Sequence, residues 1–205
     1  MSQSEPLVPG EYYHIYNRGN NRENLFRQER NYDYFIRLYA KYIAPVAFTF
    51  AFCLLRNHFH LLVQILELEA LRRARTFATI DDAQDYVSLQ FANLFSTYTK
   101  AINKAYGRTG NLFMRPFKRK RVDSDRYFQQ LVIYIHRNPQ THGLVTDFRA
   151  WPYSSYGILT SDRKTAVRRA EVLTWFDGLQ PFVAAHQIAA NEGAMRDLLF
   201  DDVED

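Results

Sequence analysis

The chain has 205 residues, of which 47% are hydrophobic and 16% aromatic, and this is enough for one sizeable hydrophobic core. Its formal net charge of +4 is small, so the basic residues matter for polyanion binding only where they cluster. The single cysteine, Cys53, excludes an intramolecular disulfide. The ten-residue apolar stretch around it is too short to cross a membrane, and the N-terminus lacks the features of a signal peptide. We therefore expect a cytoplasmic protein with no membrane partner.

The first two elements are predicted to be a strand and a helix. Residues 11–18, "EYYHIYNR", alternate and are rich in tyrosine, which is typical of a strand, and the polar "GNNREN" after them forms a turn. From Gln28 to Ile43, apolar and aromatic residues recur at spacings of three and four, which indicates an amphipathic helix. Pro45 ends it.

Two strands and a long helix follow. Residues 46–55 and 58–65 are predicted to form a hairpin around a tight turn at Arg56 and Asn57. Residues 67–80 are ambiguous. A long helix is predicted from Asp81 to Gly107, with Asp81 or Asp82 as its N-cap.

A basic strand and a last long helix complete the pattern. The segment "PFKRKRVD" is predicted to be a strand, and Ser124 can cap a helix that runs to about Arg137, because Pro139 disfavours helix at Asn138. Residues 162–205 contain short helical patterns and end in an acidic "DDVED" that we expect to be frayed. The order of elements predicts an α+β fold, in which helices pack on an antiparallel sheet.

The hairpin carries the first candidate site residues. His58 and His60 are two apart on a strand, so their imidazoles lie on one face, while Phe59 and Leu61 face the other way. Paired neutral imidazoles are good ligands for a divalent cation. Two such histidines can also simply hydrogen bond to their neighbours, and two ligands do not complete a metal site.

The last long helix can supply the missing groups. Tyr134 and Asn138 are four apart, so they are neighbours on one helix face. The amide oxygen of Asn138 is a suitable ligand for a hard cation, and we expect its side chain to be free to turn at the helix end. A phenol is a poor nucleophile near neutral pH and needs a metal-activated electrophile such as a phosphodiester. Tyr134 could equally be a core residue, and spacing alone does not distinguish it from Tyr127.

These motifs, taken together, resemble a known family. "NHFHLLVQ" resembles the His-hydrophobic-His motif of HUH endonucleases, and "YIHRNPQTHGL" followed by "WPYSSY" is similar to the downstream signature of the REP-associated tyrosine transposases. "YYHIYNRGNNRENLF" and "GRTGNLFMRPFKRKRV" are also similar to that family. The resemblance extends from about residue 10 to 157. It implies a ferredoxin-like HUH single-tyrosine transposase domain over residues 1–160, followed by an extension over 161–205 of unknown role.

The resemblance also implies roles for individual residues. His58 and His60 match the metal-ligand histidines, Asn138 matches the third ligand, and Tyr134 matches the catalytic tyrosine; His136 is given no role. The implied cofactor is Mg²⁺ or Mn²⁺, which would polarise a scissile phosphate in single-stranded DNA beside a palindromic hairpin. Tyr134 would attack that phosphate to form a 5′-phosphotyrosine link and release a 3′-OH, which makes the protein a single-stranded DNA endonuclease and strand transferase.

Basic residues near these motifs are candidates for DNA contact. Five of the seven residues in 115–121 are basic, and on a strand Lys118 and Lys120 would project to one side and Arg119 and Arg121 to the other. One side could contact phosphates, or the segment could be a charged edge strand. The candidate DNA-binding residues are Arg18, Arg22, Arg56, Arg115, Lys118, Arg119, Lys120 and Arg121.

Two other functions remain open at this point. The chain could keep the fold as a non-cleaving protein that recognises hairpin nucleic acid, or it could be a metal-dependent phosphodiesterase that uses activated water. We favour a monomer over a homodimer, because the long C-terminal part could support a self-contained site.

Overall fold

The computed structural model describes residues 5–188, and its helices and strands follow the predicted order. The acidic "DDVED" end, predicted to be frayed, lies outside the described residues. Two short 3₁₀ turns occupy Asn20–Arg22 and Phe148–Ala150. The main elements are β1 (Tyr12–Arg18), α1 (Glu29–Tyr42), β2 (Ala47–Leu54), β3 (His58–Ile65), α2 (Leu68–Arg72), α3 (Ile80–Tyr106), β4 (Lys118–Val122), α4 (Asp125–Thr141), α5 (Tyr156–Leu159), α6 (Arg169–Trp175) and α7 (Leu179–Gln187).

The four strands form one antiparallel sheet in the order β2-β3-β1-β4. The β2–β3 hairpin turns at Arg56 and Asn57 as expected, and the Leu55 N–H donates to the His58 carbonyl over 2.9 Å. Helix α1 connects β1 to β2, and β3 lies between those strands. This is the ferredoxin-like β-α-β-β-α-β arrangement. The predicted α+β fold with an antiparallel sheet is confirmed.

One face of the sheet is covered by α1 and α3. Ile15 of β1 and Phe59 and Leu61 of β3 point into this core, where Phe35 of α1 and Tyr98 of α3 meet them. Because side chains alternate along β3, Phe59 and Leu61 are buried in this core. The same alternation directs both imidazoles to the other face of the sheet.

The histidine face is covered by α4. Leu62 of β3 belongs to one buried core with Val132 and Ile135 of α4, and the same core includes Val172 of α6 and Phe182 of α7. Residues after 161 thus contribute to the packing behind α4. Both faces of the sheet are buried against helices, and α4 lies directly over the imidazoles.

Two predicted helix ends are wrong, each for a physical reason. Helix α3 is capped by Thr79, not by Asp81 or Asp82: the Thr79 hydroxyl accepts from the Asp82 N–H at 3.1 Å, while the Asp82 carboxylate accepts from the Thr79 N–H at 2.9 Å. Helix α4 continues through Pro139 to Thr141, beyond the predicted end near Arg137. Proline in the last turn removes only one helical N–H, and the carbonyls of that turn are still bonded.

The described part of the chain contains no helix that combines the length and the apolar character needed to span a membrane.

Candidate active site

Three imidazoles lie together on the face of the sheet beneath α4. His58 and His60 project from β3 with ring centroids 5.2 Å apart, and His14 of β1 lies edge to edge beside His60, with ring centroids 5.1 Å apart and nearly parallel ring planes. The register of β1 with β3 explains the contact, because Tyr16 lies opposite His60 and His14 opposite Leu62. The side-by-side placement of His58 and His60 expected from their spacing is confirmed.

His60 has one ring nitrogen bonded and one available. Its Nδ1 lies 2.9 Å from Nε2 of His14, and both side chains are buried. Its Nε2 is also buried but has no hydrogen-bond partner in the described part of the chain. Since buried polar atoms are nearly always paired, this nitrogen is available to a water molecule or a ligand.

His58 presents its Nε2 toward Asn138. Its Nδ1 lies 2.8 Å from Oδ1 of Asn57, so an Nδ1–H donates there and Nε2 carries the lone pair. Nδ2 of Asn138 donates to the Tyr134 carbonyl over 3.2 Å, which directs Oδ1 toward His58. Nε2 of His58 and Oδ1 of Asn138 are 3.5 Å apart. Two acceptors that face each other are stabilised when a cation lies between them.

The expectation that Asn138 is free to turn at the helix end is wrong. Asn138 lies inside α4, only 1% exposed, and its amide is oriented by the turn that precedes it. The helix continues because Pro139 can be accommodated in its last turn, where the His142 N–H donates to the Asn138 carbonyl at 2.9 Å. The structure therefore places the predicted third ligand more rigidly than the sequence suggested.

Tyr134 lies one helical turn before Asn138, over the histidines. Its ring centroid is 5.3 Å from that of His60, in an edge-to-face arrangement. Tyr127, which spacing alone left as an alternative, is buried in the core beneath α4, with Nζ of Lys120 5.4 Å from its ring centroid. The structure thus brings together His58, His60, Asn138 and Tyr134.

The imidazoles are held neutral. Burial lowers the pKa of His14 to about 3 and that of His58 to about 4, and it keeps the pKa of His60 well below its usual 6.5. The charge of Lys120 lowers the pKa of His14 further, and the neighbouring His142 lowers that of His58. Neutral imidazole is the form that binds a metal.

The donor atoms suit a divalent cation. Nε2 of His58, Nε2 of His60 and Oδ1 of Asn138 are two nitrogen donors and one oxygen donor on facing elements. Within residues 5–188, no group of three or more His, Cys, Asp and Glu side chains is arranged to hold a metal. A three-ligand set at this place would therefore need the amide oxygen of Asn138 beside the two imidazoles.

The basic strand β4 divides its side chains between the two faces, as expected. Lys118 lies opposite Tyr16 and Lys120 opposite His14, so both are on the histidine face, and both are exposed. Arg119 and Arg121 project toward the α3 side. Arg119 donates to Ser88 Oγ at 3.0 Å, and Arg121 forms a 2.6 Å ion pair with Glu11.

The other four candidate DNA-binding arginines lie around the end of the sheet that carries the histidines. Half-buried Arg18 is opposite His58 in the β1–β3 register, and exposed Arg56 is in the turn that precedes His58. Arg22 and Arg115 are exposed in loops that are hydrogen bonded to each other through Asn20 N–H and the Leu112 carbonyl at 2.9 Å. DNA contact by these residues remains a prediction.

The sequence interpretation missed three further histidines. His14 contacts His60 directly. His136, given no role, is buried with Nδ1 2.8 Å from His186 Nε2 and Nε2 2.8 Å from Ser155 Oγ, so it links α4 to α7 and to the segment beside β2. His142 lies at the rim, with its ring centroid 4.8 Å from that of His58. The alternation of Tyr12, His14 and Tyr16 was the only available signal for His14.

Comparison with known proteins agrees with the motifs. No family model matches the chain. A Haemophilus influenzae protein, whose name assigns it provisionally to the REP-associated tyrosine transposases, is 31% identical over 114 residues, which cover 53% of this chain. The match spans only 58% of that relative's length. A solved structure of a REP-associated tyrosine transposase bound to a REP hairpin aligns with a TM-score of 0.56 and 18% identity, covering 77% of this chain and 83% of the other. The chain is thus similar in sequence to one REP-associated tyrosine transposase and shares the fold of another, which confirms the resemblance seen in its motifs.

Proposed function

We propose that this chain is a metal-dependent single-stranded DNA endonuclease and strand transferase that acts beside palindromic hairpins through Tyr134. The observation that carries the proposal is the convergence of four side chains on one face of the sheet. The available nitrogen of His60 is buried beneath Tyr134, and Nε2 of His58 faces Oδ1 of Asn138 at 3.5 Å. The relative named as a transposase and the neighbour bound to a REP hairpin support DNA as the substrate.

His58, His60 and Asn138 would hold Mg²⁺ or Mn²⁺. When bound, such an ion polarises a phosphate oxygen and stabilises the charge that develops there during displacement. The protein's own contribution is to present neutral imidazoles and an oriented amide before the ion arrives. Burial keeps the imidazoles neutral, and the hydrogen bond from Asn138 to the Tyr134 carbonyl orients the amide.

Tyr134 would act as the nucleophile. Its phenolic oxygen loses its proton and forms a bond to phosphorus, the bond from phosphorus to the 3′ oxygen breaks, and the departing 3′ oxygen takes up a proton to become a hydroxyl, so no net proton is gained or lost. The 5′ phosphate stays on Tyr134. Attack by a 3′-OH from the same or another strand reverses the step and rejoins DNA. No external energy source is needed, because the phosphotyrosine link conserves the energy of the phosphodiester bond that was cleaved.

Phosphates on either side of the cleaved bond would meet basic residues of the histidine face. Lys118 and Lys120 are exposed on that face of β4, and Arg18 and Arg56 flank His58. Such contacts bind the backbone of any sequence and weaken with salt. Arg119 and Arg121 are less suited, because both project to the α3 side and are engaged with Ser88 and Glu11.

We also propose that a monomer is sufficient for cleavage. The tyrosine, both histidines and the asparagine come from the same chain and already converge, so no partner needs to contribute a residue. Buried contacts from α7 to α4 hold the tyrosine helix in place, including His186 to His136 at 2.8 Å.

The test uses single-stranded oligonucleotides that carry a palindromic hairpin from the DNA flanking the gene. Protein and oligonucleotide are incubated with Mn²⁺ or Mg²⁺, with EDTA as the control, and separated on a denaturing gel. We expect a metal-dependent covalent adduct that Tyr134→Phe abolishes without loss of hairpin binding. Tight binding with no adduct would instead support a non-cleaving hairpin-binding protein, and cleavage without an adduct would support activated water.

A further inference from the structure

The contact between His14 and His60 is a buried hydrogen bond in which either ring can be the donor, depending on the tautomers. Nε2 of His14 and Nδ1 of His60 are 2.9 Å apart, and both side chains are buried away from solvent. A neutral imidazole carries one proton on one of its two nitrogens. The bond therefore exists in two arrangements that contain the same number of protons and differ only in which ring donates.

The two arrangements differ in what His60 can do. If Nδ1–H of His60 donates to His14, then Nε2 of His60 carries a lone pair that points into the site. If Nε2–H of His14 donates instead, the proton of His60 is on its own Nε2, and that nitrogen cannot bind a cation. His58 already has the first arrangement, since its Nδ1 is paired with Asn57 Oδ1 at 2.8 Å.

We propose that His14 is a positioning residue that accepts from Nδ1–H of His60 and so holds His60 in the tautomer able to bind a divalent cation. Metal-binding histidines usually donate their second N–H to an acceptor, and removal of that acceptor weakens metal binding by about 10–100-fold. His14 would do for His60 what Asn57 does for His58. The inference rests on the proposed function, because it assigns Nε2 of His60 to the metal.

The test measures metal binding without DNA. His14→Phe keeps a ring of similar size but removes the acceptor, and His14→Gln restores an acceptor oxygen on a flexible side chain. The matched control is Tyr98→Phe, because it also removes one buried hydrogen bond, from the Tyr98 hydroxyl to the Leu25 carbonyl at 2.8 Å, but in the core on the opposite face of the sheet. Mn²⁺ affinity is measured by calorimetry for each protein, with folding checked by circular dichroism.

We expect His14→Phe to weaken Mn²⁺ binding by about 10–100-fold, His14→Gln to recover most of it, and Tyr98→Phe to leave it unchanged. Equal affinity in wild type and a folded His14→Phe would overturn the proposal, and so would an equal loss in Tyr98→Phe. Nitrogen-15 NMR of metal-free wild type tests the same point without any substitution. It should show His60 protonated at Nδ1, and a proton at Nε2 would overturn the proposal even if His14→Phe does not fold.

The same measurements separate this inference from the proposed function. If Mn²⁺ binds through His60 with the expected dependence on His14, but no DNA adduct forms, the inference stands and the cleavage proposal fails. If an adduct forms but Mn²⁺ affinity does not depend on His14, the cleavage proposal stands and the inference fails.

Discussion

Acidification should destabilise the fold through its buried histidines, and His186 offers the clearest case because it lies outside the proposed metal site. Burial lowers its pKa from 6.5 to about 4, with a further lowering by Arg137, against the opposing effect of its hydrogen bond to the Phe182 carbonyl. Below pH 6.5 the unfolded chain takes up a proton at this residue while the folded chain does not. The free energy of unfolding therefore falls as the pH drops from 6.5, and this effect levels off below about pH 4.

The size of the effect follows from the two pKa values. One pKa unit corresponds to about 1.4 kcal/mol, so His186 should cost about 2 kcal/mol of stability at pH 5 relative to pH 7.5. His136 beside it also has its pKa lowered by burial and adds to the loss. In His186→Gln the contribution of His186 disappears, although the variant is less stable at pH 7.5 because a buried hydrogen bond is altered.

The assay is urea unfolding at pH 7.5 and pH 5, followed by far-UV circular dichroism in EDTA so that metal binding does not contribute. The drop in unfolding free energy between the two pH values should be about 2 kcal/mol smaller in His186→Gln than in wild type. His142→Gln is the comparison variant, since His142 is exposed at the rim and its removal should change the drop less. An identical drop in wild type and His186→Gln would refute the reasoning.

The other predictions concern DNA binding and the loop after β1. Lys118→Ala and Lys120→Ala should each weaken hairpin binding and reduce the slope of log affinity against log salt by about one. Arg121→Ala, on the opposite face, should change the affinity and the slope less. Equal effects on the two faces would count against DNA binding on the histidine face. Gly19→Ala should destabilise the fold by about 1–3 kcal/mol in thermal unfolding, because its Cβ would lie 2.1 Å from a backbone oxygen. Gly157→Ala, where a Cβ meets nothing within 4 Å, is the control and should be neutral.

Much of the site could be predicted because it depends on local periodicity. Residues that are two apart on a strand lie on the same face, and residues that are four apart on a helix are neighbours. His58 could therefore be paired with His60, and Tyr134 with Asn138, from their spacing alone. The alternation around Phe59 also predicted which side chains enter the core beneath α1 and α3. These spacing rules apply within a single strand or helix and do not depend on how the rest of the chain packs.

The remaining features depend on long-range pairing that spacing does not encode. His14 meets His60 only because β1 lies beside β3 in one register, and a shift by one residue would turn His14 to the other face. The contact of His136 with His186 joins residues 50 apart in sequence, through the packing of α7 on α4. The continuation of α4 through Pro139 likewise depends on how the helix packs, since the residue before a proline disfavours helical backbone and predicts an earlier helix end.

The measurement that tests the central claim most directly is mass spectrometry of the covalent adduct. Digestion with trypsin should place the linked nucleotide on the peptide of residues 127–137, "YFQQLVIYIHR", which contains both Tyr127 and Tyr134. Fragment ions then distinguish the two tyrosines. We predict the phosphate link on Tyr134, formed only with divalent metal and absent from Tyr134→Phe. A link on Tyr127 or on any other residue, or an adduct that persists in Tyr134→Phe, would contradict the account.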